Sequence, residues 1–236
     1  MRIACTTQHS TDWFAARTGK IGASNVWKVM DFLKSGKESQ QRANYRAEMI
    51  AEVLTGLPTE HYVSPAMDHG SEYEKVARAE YQLATGLDVT QTGFLLHPTI
   101  DRAGASPDGL CDPDGMIEAK CPNTATHLKW ITAGEVPQEH IDQMQFGMVC
   151  GEMQWCDFIS FDPRLPEKYR LFIRRLQRDD ARIAEIEVGI GKFLAEVLET
   201  IQALDKAFPD VQRREPKPLD PLSHDFDFLD GVALVP

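Results

Sequence analysis

The residues best suited to chemistry lie between positions 106 and 122. They read Ser106-Pro107-Asp108-Gly109 and then Ile117-Glu118-Ala119-Lys120-Cys121-Pro122. Alternation along a strand puts Glu118 and Lys120, two apart, on one face. Between the two stretches, Asp112-Pro113-Asp114-Gly115 carries proline second and glycine fourth, a type I turn signature. One hairpin can therefore bring Asp108, Glu118 and Lys120 together at its end. Two carboxylates are hard oxygen ligands of the kind Mg2+ takes, an ion that keeps several of its waters. A nearby ammonium can polarise a water and offset charge that develops on a phosphate. The Ala119 carbonyl is a further oxygen facing the same place. An E-x-K pair alone on a strand is most often a solvated face. Pro-Asp ahead of it at hairpin distance, with apolar Met116 and Ile117 leading in, favours the catalytic reading.

The elements that must hold these residues follow from periodicity. Residues 13–32 read as a short helix, a tight turn at 18–20, and a second helix opening near Ser24, a good N-cap type. Residues 45–54 and 67–85 are helical, the latter with Tyr73, Val76, Ala77, Ala79 and Leu83 at helix spacing and Gly86 as its stop. Strand patterns cover 89–96, 102–105 and 116–120. A helix over 138–149 precedes a strand over 155–161 and an antiparallel neighbour at 169–173. A long helix over 179–208 carries Ile183, Ile186, Ile190, Phe193, Leu194, Val197, Leu198, Ile201 and Leu204 as one apolar stripe. Trp13 and Trp27 fall on apolar helix faces and are expected in the core. The sum is an α+β, mixed α/β fold with a central mixed β-sheet flanked by helices. It forms one domain over 1–208, and an acidic, proline-rich tail occupies 209–236.

Composition bounds the function. The 236 residues are 42% hydrophobic and 26% charged, which fits a folded globular chain. No apolar run approaches membrane-spanning length, so no membrane partner is expected. The N-terminus lacks a secretory pattern, and five cysteines without framework spacing suit a reducing cytoplasm. A net charge of −11 argues at first against nucleic acid. The excess is local, however: residues 61–160 hold 15 acidic and 5 basic side chains. Some of those acids are the candidate metal ligands.

The P-D…(D/E)-x-K arrangement resembles the metal-dependent PD-(D/E)xK nucleases, whose core is restriction-endonuclease-like. Further blocks, in order, extend the likeness. They are Trp13, Arg17, Gly19, Ile21, Ala23 and Ser24; Gly70, Tyr73 and Glu74; Ser106 to Leu110; Glu118 to Pro122; Gln143 and Gln145; and Asp162 to Arg164. Together these resemble the YqaJ-type viral recombinase family, which includes the lambda-type exonucleases. The resemblance implies 5′-to-3′ hydrolysis of linear double-stranded DNA, releasing 5′-mononucleotides and leaving 3′ overhangs for recombination by strand annealing. It implies two Mg2+ ions, replaceable by Mn2+, on Glu74, Asp108, Glu118 and the Ala119 carbonyl. Lys120 would act on the attacking water, with Gln143 supporting the site. Arg17, Ser24, Lys34, Thr126 and His140 match positions around the DNA 5′-phosphate. Thr126 and His140 depart there from the family's Arg and Tyr, and Lys34 replaces an Arg with loss of its fork. A homotrimer ring, a single-strand annealing protein as partner, and a phage or prophage origin in a bacterial cytoplasm are implied in the same way.

Rival readings stay open at this level. One is an endonuclease of the same superfamily, although no insertion suggests a base-reading module. Another is an iron–sulphur nuclease, for which the cysteines lack close spacings. A third is a non-catalytic DNA-binding scaffold, which would not be expected to keep Asp108, Glu118 and Lys120 together.

Overall fold

The computed structural model describes residues 1–59 and 65–209. The acidic, proline-rich stretch expected at the C-terminus lies outside the described residues from position 210 onward. Ser10 caps helix α1 (Thr11–Arg17) by accepting from the Trp13 N–H. The chain then turns at Gly19, whose φ of 66° is the left-handed conformation that glycine tolerates. A short strand β2 (Ile21–Gly22) leads into a 3-10 turn (Ala23–Asn25) and helix α2 (Val26–Val29). Ser24 therefore lies inside the 3-10 turn and caps nothing, contrary to the expected N-cap; its hydroxyl is left exposed. Trp27 is also exposed, because the four-residue α2 buries only Val26 and Val29.

Two mixed sheets form the centre rather than one. The first orders β1 (Arg2–Cys5), β4 (Phe94–Leu96), β5 (Ala103–Ala105) and β2. The second orders β3 (Val89–Thr90), β6 (Gly109–Cys111), β7 (Gly115–Lys120), β8 (Trp155–Phe161) and β9 (Leu171–Gln177). The single strand expected over 89–96 is thus broken, and its halves serve different sheets. β6 and β7 form the expected hairpin, and β8 lies parallel to β7 with Ser160 opposite Lys120. Gly115 starts β7 where a Cβ would fall 2.0 Å from the Trp155 ring, so only glycine admits that neighbour.

Helices cover both faces of the second sheet. Alternation along β7 sends Met116 against Met144 and Met148 of α6 (Gln138–Gly151) and sends Ile117 and Ala119 against Tyr81 of α4 (Pro65–Thr85). The N-terminus of α5 (Thr124–Ala133) is capped by Asn123 beside the end of β8. After a one-turn helix α7 (Glu167–Arg170), the long α8 (Asp180–Ala207), capped by Asp179, packs against α3 (Gln40–Thr55) and α6. It buries Ile183, Ile186, Ile190, Phe193, Val197 and Ile201, whereas Leu198 and Leu204 of the expected stripe are exposed. Among the described residues, no helix is long and apolar enough to cross a membrane.

Candidate active site

Asp108 sits immediately before β6. Gly109 pairs with Ile117, which places Asp108 beside Glu118. The Asp108 N–H donates to the Ile117 carbonyl (3.2 Å), and the Ala119 N–H donates to Asp108 Oδ2 at 2.7 Å. The expected convergence across the hairpin is therefore present, held by backbone bonds. One oxygen of Glu118, Oε1, accepts from Lys120 Nζ (2.6 Å) and from Gln143 Nε2 of α6 (2.6 Å). Glu118 is buried, 4% exposed, and both neighbours donate charge-assisted bonds to it.

Glu74 comes from α4 and pairs with Arg78, one turn further on, at 3.3 Å. Arg78 also donates to the Asp108 carbonyl, tying α4 to the hairpin. Sequence reading passed over Arg78, although its i,i+4 spacing from Glu74 was a signal.

The electrostatics follow from this crowding. Burial pushes the Asp108 carboxyl well above the usual range, and Glu118 and Glu74 push it further, against relief from Lys120 and the Ala119 N–H. Burial works against the Lys120 ammonium, but Glu118, Asp108 and Glu74 outweigh it and raise its pKa. Carboxylates whose proximity costs this much are a donor set that a divalent cation would relieve, and the oxygens are the type Mg2+ takes. Among the described residues they do not form a ready-made cage of three ligands, since Lys120, Gln143 and Arg78 occupy them. Asp108, Glu118 and Glu74 fit the ion by donor chemistry.

A cleft joins this centre to the N-terminal segment. Its walls include Glu118 and Gln143 on one side and Arg17, Ser24, Ser106 and Pro107 on the other. Arg17 and Ser24 are neighbours around Gly22: a Cβ built there would lie 3.6 Å from Arg17 Nη2 and 3.9 Å from Ser24 Oγ. The Arg17 guanidinium stacks over the Trp13 ring at 4.1 Å, and Trp13 Nε1 donates to Ser106 Oγ at 2.8 Å. Trp13 is thus buried as expected, but it also supports the cleft wall.

Residues 12–154 match the YqaJ-like viral recombinase domain. The chain belongs to the YqaJ-like viral recombinase family. Within reach of this family, the alkaline exonuclease LHK-Exo from Laribacter hongkongensis is 45% identical, superposes with a TM-score of 0.79, and covers 86% of this chain and 100% of its own. A structure of LHK-Exo in complex with dAMP gives the same identity and coverage with a TM-score of 0.80. A phage-related exonuclease from Haemophilus somnus 129PT, 18% identical with a TM-score of 0.63, covers 78% of this chain and 96% of its own and shares the fold. No curated protein sequence matches the chain.

For this YqaJ-like chain, the remaining expected phosphate residues do not line the cleft. Lys34 lies exposed in the turn of a small hairpin closed by a Phe32–Glu38 bridge. Thr126 sits in the first turn of α5, where its N–H is taken by the Asn123 cap. His140 stacks on Phe158 and meets the Trp130 ring edge-on; burial and then Lys120 lower its pKa to about 4. It is neutral at physiological pH. His127, beside Thr126, is fully buried, bonding Ser160 Oγ (2.6 Å) through Nδ1 and the Tyr169 carbonyl (2.8 Å) through Nε2. The carbonyl can only accept, so Nε2 carries the proton and the serine hydroxyl donates to Nδ1.

Proposed function

We propose that the chain is a Mg2+-dependent exonuclease that digests linear double-stranded DNA from its 5′ ends. One observation carries this reading: Arg17 and Ser24 line the same cleft as Glu118 and Gln143. A guanidinium and a hydroxyl suit a terminal phosphate, and the carboxylate–ammonium centre suits the next phosphodiester along. An enzyme that grips the end and cuts beside it is an exonuclease. Membership in the YqaJ-like family and the likeness to LHK-Exo, whose dAMP complex holds a mononucleotide, support it.

In this reading a water oxygen bonds to phosphorus while the P–O3′ bond breaks. The departing nucleotide keeps its 5′-phosphate and gains a 3′-hydroxyl, and the shortened strand begins with a new 5′-phosphate. That product is again what Arg17 and Ser24 bind, so the cycle repeats on its own product. Lys120, kept as an ammonium by its carboxylate neighbours, orients and polarises the water, while Gln143 fixes the Glu118 carboxylate from α6. Mg2+ held by Asp108, Glu118, Glu74 and the Ala119 carbonyl would stabilise charge on the phosphate and lower the water's pKa. The exposed 3′ strand would pass to a single-strand annealing protein, and a homotrimer ring around the duplex completes the proposal.

The test is a linear duplex labelled separately on each strand, with 5′-phosphate or 5′-hydroxyl ends, beside a closed circle. The 5′-ended strand shortens to mononucleotides, faster from a phosphate end, and the circle survives. Loss of the 3′-ended strand, or cutting of the circle, would overturn the assigned reaction.

A further inference from the structure

The cations bound into the catalytic centre are mostly spent inside it. Lys120 is held by Glu118, and Arg78 by Glu74 and the Asp108 carbonyl. A third cation stands differently. Asp162, one residue past the end of β8, is fully buried, and its carboxylate accepts four donors. They are the Thr124 hydroxyl (2.6 Å) and, from Arg164, the backbone N–H (3.0 Å), Nε (2.7 Å) and Nη2 (3.0 Å).

Arg164 Nη2 also donates to the Pro122 carbonyl at 3.2 Å, two residues beyond Lys120. β7 and β8 run parallel, so both strands deliver these residues to the same end of the sheet. Tyr73, next to Glu74, is near enough for its oxygen to act on the Arg164 guanidinium. Cys121 lies within the combined field of Glu74, Asp108 and Asp162. The Asp162–Arg164 pair therefore borders the carboxylate centre.

The Arg164 side chain is 48% exposed, and its hydrogen bonds to described residues run through Nε and Nη2, none through Nη1. One edge of the fork is clamped by a buried carboxylate. The other edge points outward, with its rotamer already fixed. Such a group loses little entropy on meeting a ligand, and its geometry matches a phosphate oxygen.

We propose that Arg164 is a DNA-contacting residue that binds a backbone phosphate at the rim of the active site, with Asp162 as the residue that positions it. The inference rests on the nuclease reading of this site. The internal comparison is Arg175, which also clamps a buried carboxylate, Asp157, through Nε and Nη2 at 2.8 Å, but stacks its guanidinium on Trp155 at 3.5 Å. Both arginines neutralise a buried aspartate; Arg164 alone of the two borders the catalytic carboxylates.

The experiment measures duplex binding with EDTA present across a salt series, and digestion with Mg2+. Arg164→Gln lowers the slope of log affinity against log salt by about one. It raises KM severalfold with kcat little changed. Arg175→Gln, which removes the same kind of clamp, leaves the slope as in wild type. A wild-type slope in Arg164→Gln, or an equal fall in both variants, overturns the proposal. Should Arg164→Gln not fold, Arg164→Lys keeps the charge opposite Asp162. It then shows a raised KM at unchanged slope, and an unchanged KM overturns the proposal. A wild-type chain that digests no linear duplex refutes the nuclease reading instead, whereas active wild type with an inert Arg164 refutes only this inference.

Discussion

Asp108, half-buried, and Asp162, fully buried, are carboxylates at one end of a sheet, yet their neighbours drive them in opposite directions. Asp108 faces Glu118 and Glu74 and is pushed up; burial would raise Asp162 too, but Arg164 and Thr124 hold it at about 2. The first is a group whose charge is costly without a counter-ion, and the second is a settled structural anion. A carboxyl depressed by folding stabilises the protein above its unfolded pKa and loses that contribution as pH falls through the folded value. Asp162→Asn is therefore expected to be less stable than wild type at pH 7, with the gap closing between about pH 4 and pH 2. Urea titrations at several pH values measure it, and a gap that stays constant down to pH 2 would contradict the assignment. At this scale the sequence was readable where spacing is local. Glu118 and Lys120 share a face because strands alternate. Arg164 meeting Pro122 and Arg78 meeting Asp108 span 42 and 30 residues, and no local period encodes them. Ser24 was misread because its residue type suits a cap, whereas the backbone there forms a 3-10 turn.

The hairpin of β6 and β7 supplies the proposed catalytic residues, but α6 and α8 keep the hairpin in register with the cleft. α6 sends Gln143 to Glu118 on one side and packs on α8 on the other. α8 holds that arrangement through Phe193, which is fully buried, stacks on Tyr45 of α3 at 5.5 Å, and lies 5.1 Å from the Arg42 guanidinium. Phe193→Ala should cost roughly 3–5 kcal/mol in chemical denaturation. Leu198→Ala, on the exposed face of the same helix, should cost less than about 0.5 kcal/mol. Similar losses for both would contradict the observed orientation of α8. The helix itself was legible from its apolar period, because burial on one face imposes one. Which edges of the stripe are exposed was not, since that depends on where α3 and α6 end. The break within residues 89–96 was hidden for a related reason. Gly93 packs where a Cβ would lie 2.4 Å from the Cys5 carbonyl, and the halves on either side then join different sheets.

Over the whole molecule, a net charge of −11 does not describe what DNA would meet. The acids at Glu74, Asp108 and Glu118 are drawn into one centre, while Arg17 lines the cleft and Arg164 stands at its neighbouring rim. In the proposed reaction, the negative charge would hold a metal ion, and Arg17 and Arg164 would meet phosphates on either side of the cut. Charge distribution was readable from the sequence as an acidic middle; its folding into a carboxylate centre with basic flanks required the two sheets. The central claim is that Asp108, Glu118 and Lys120 act together to hydrolyse a phosphodiester. It is tested most directly by nucleotide release from a linear duplex with Mg2+, comparing wild type with Lys120→Ala. Release by the variant is expected to fall at least about a hundredfold, with duplex binding retained. Equal release from the two proteins would contradict it.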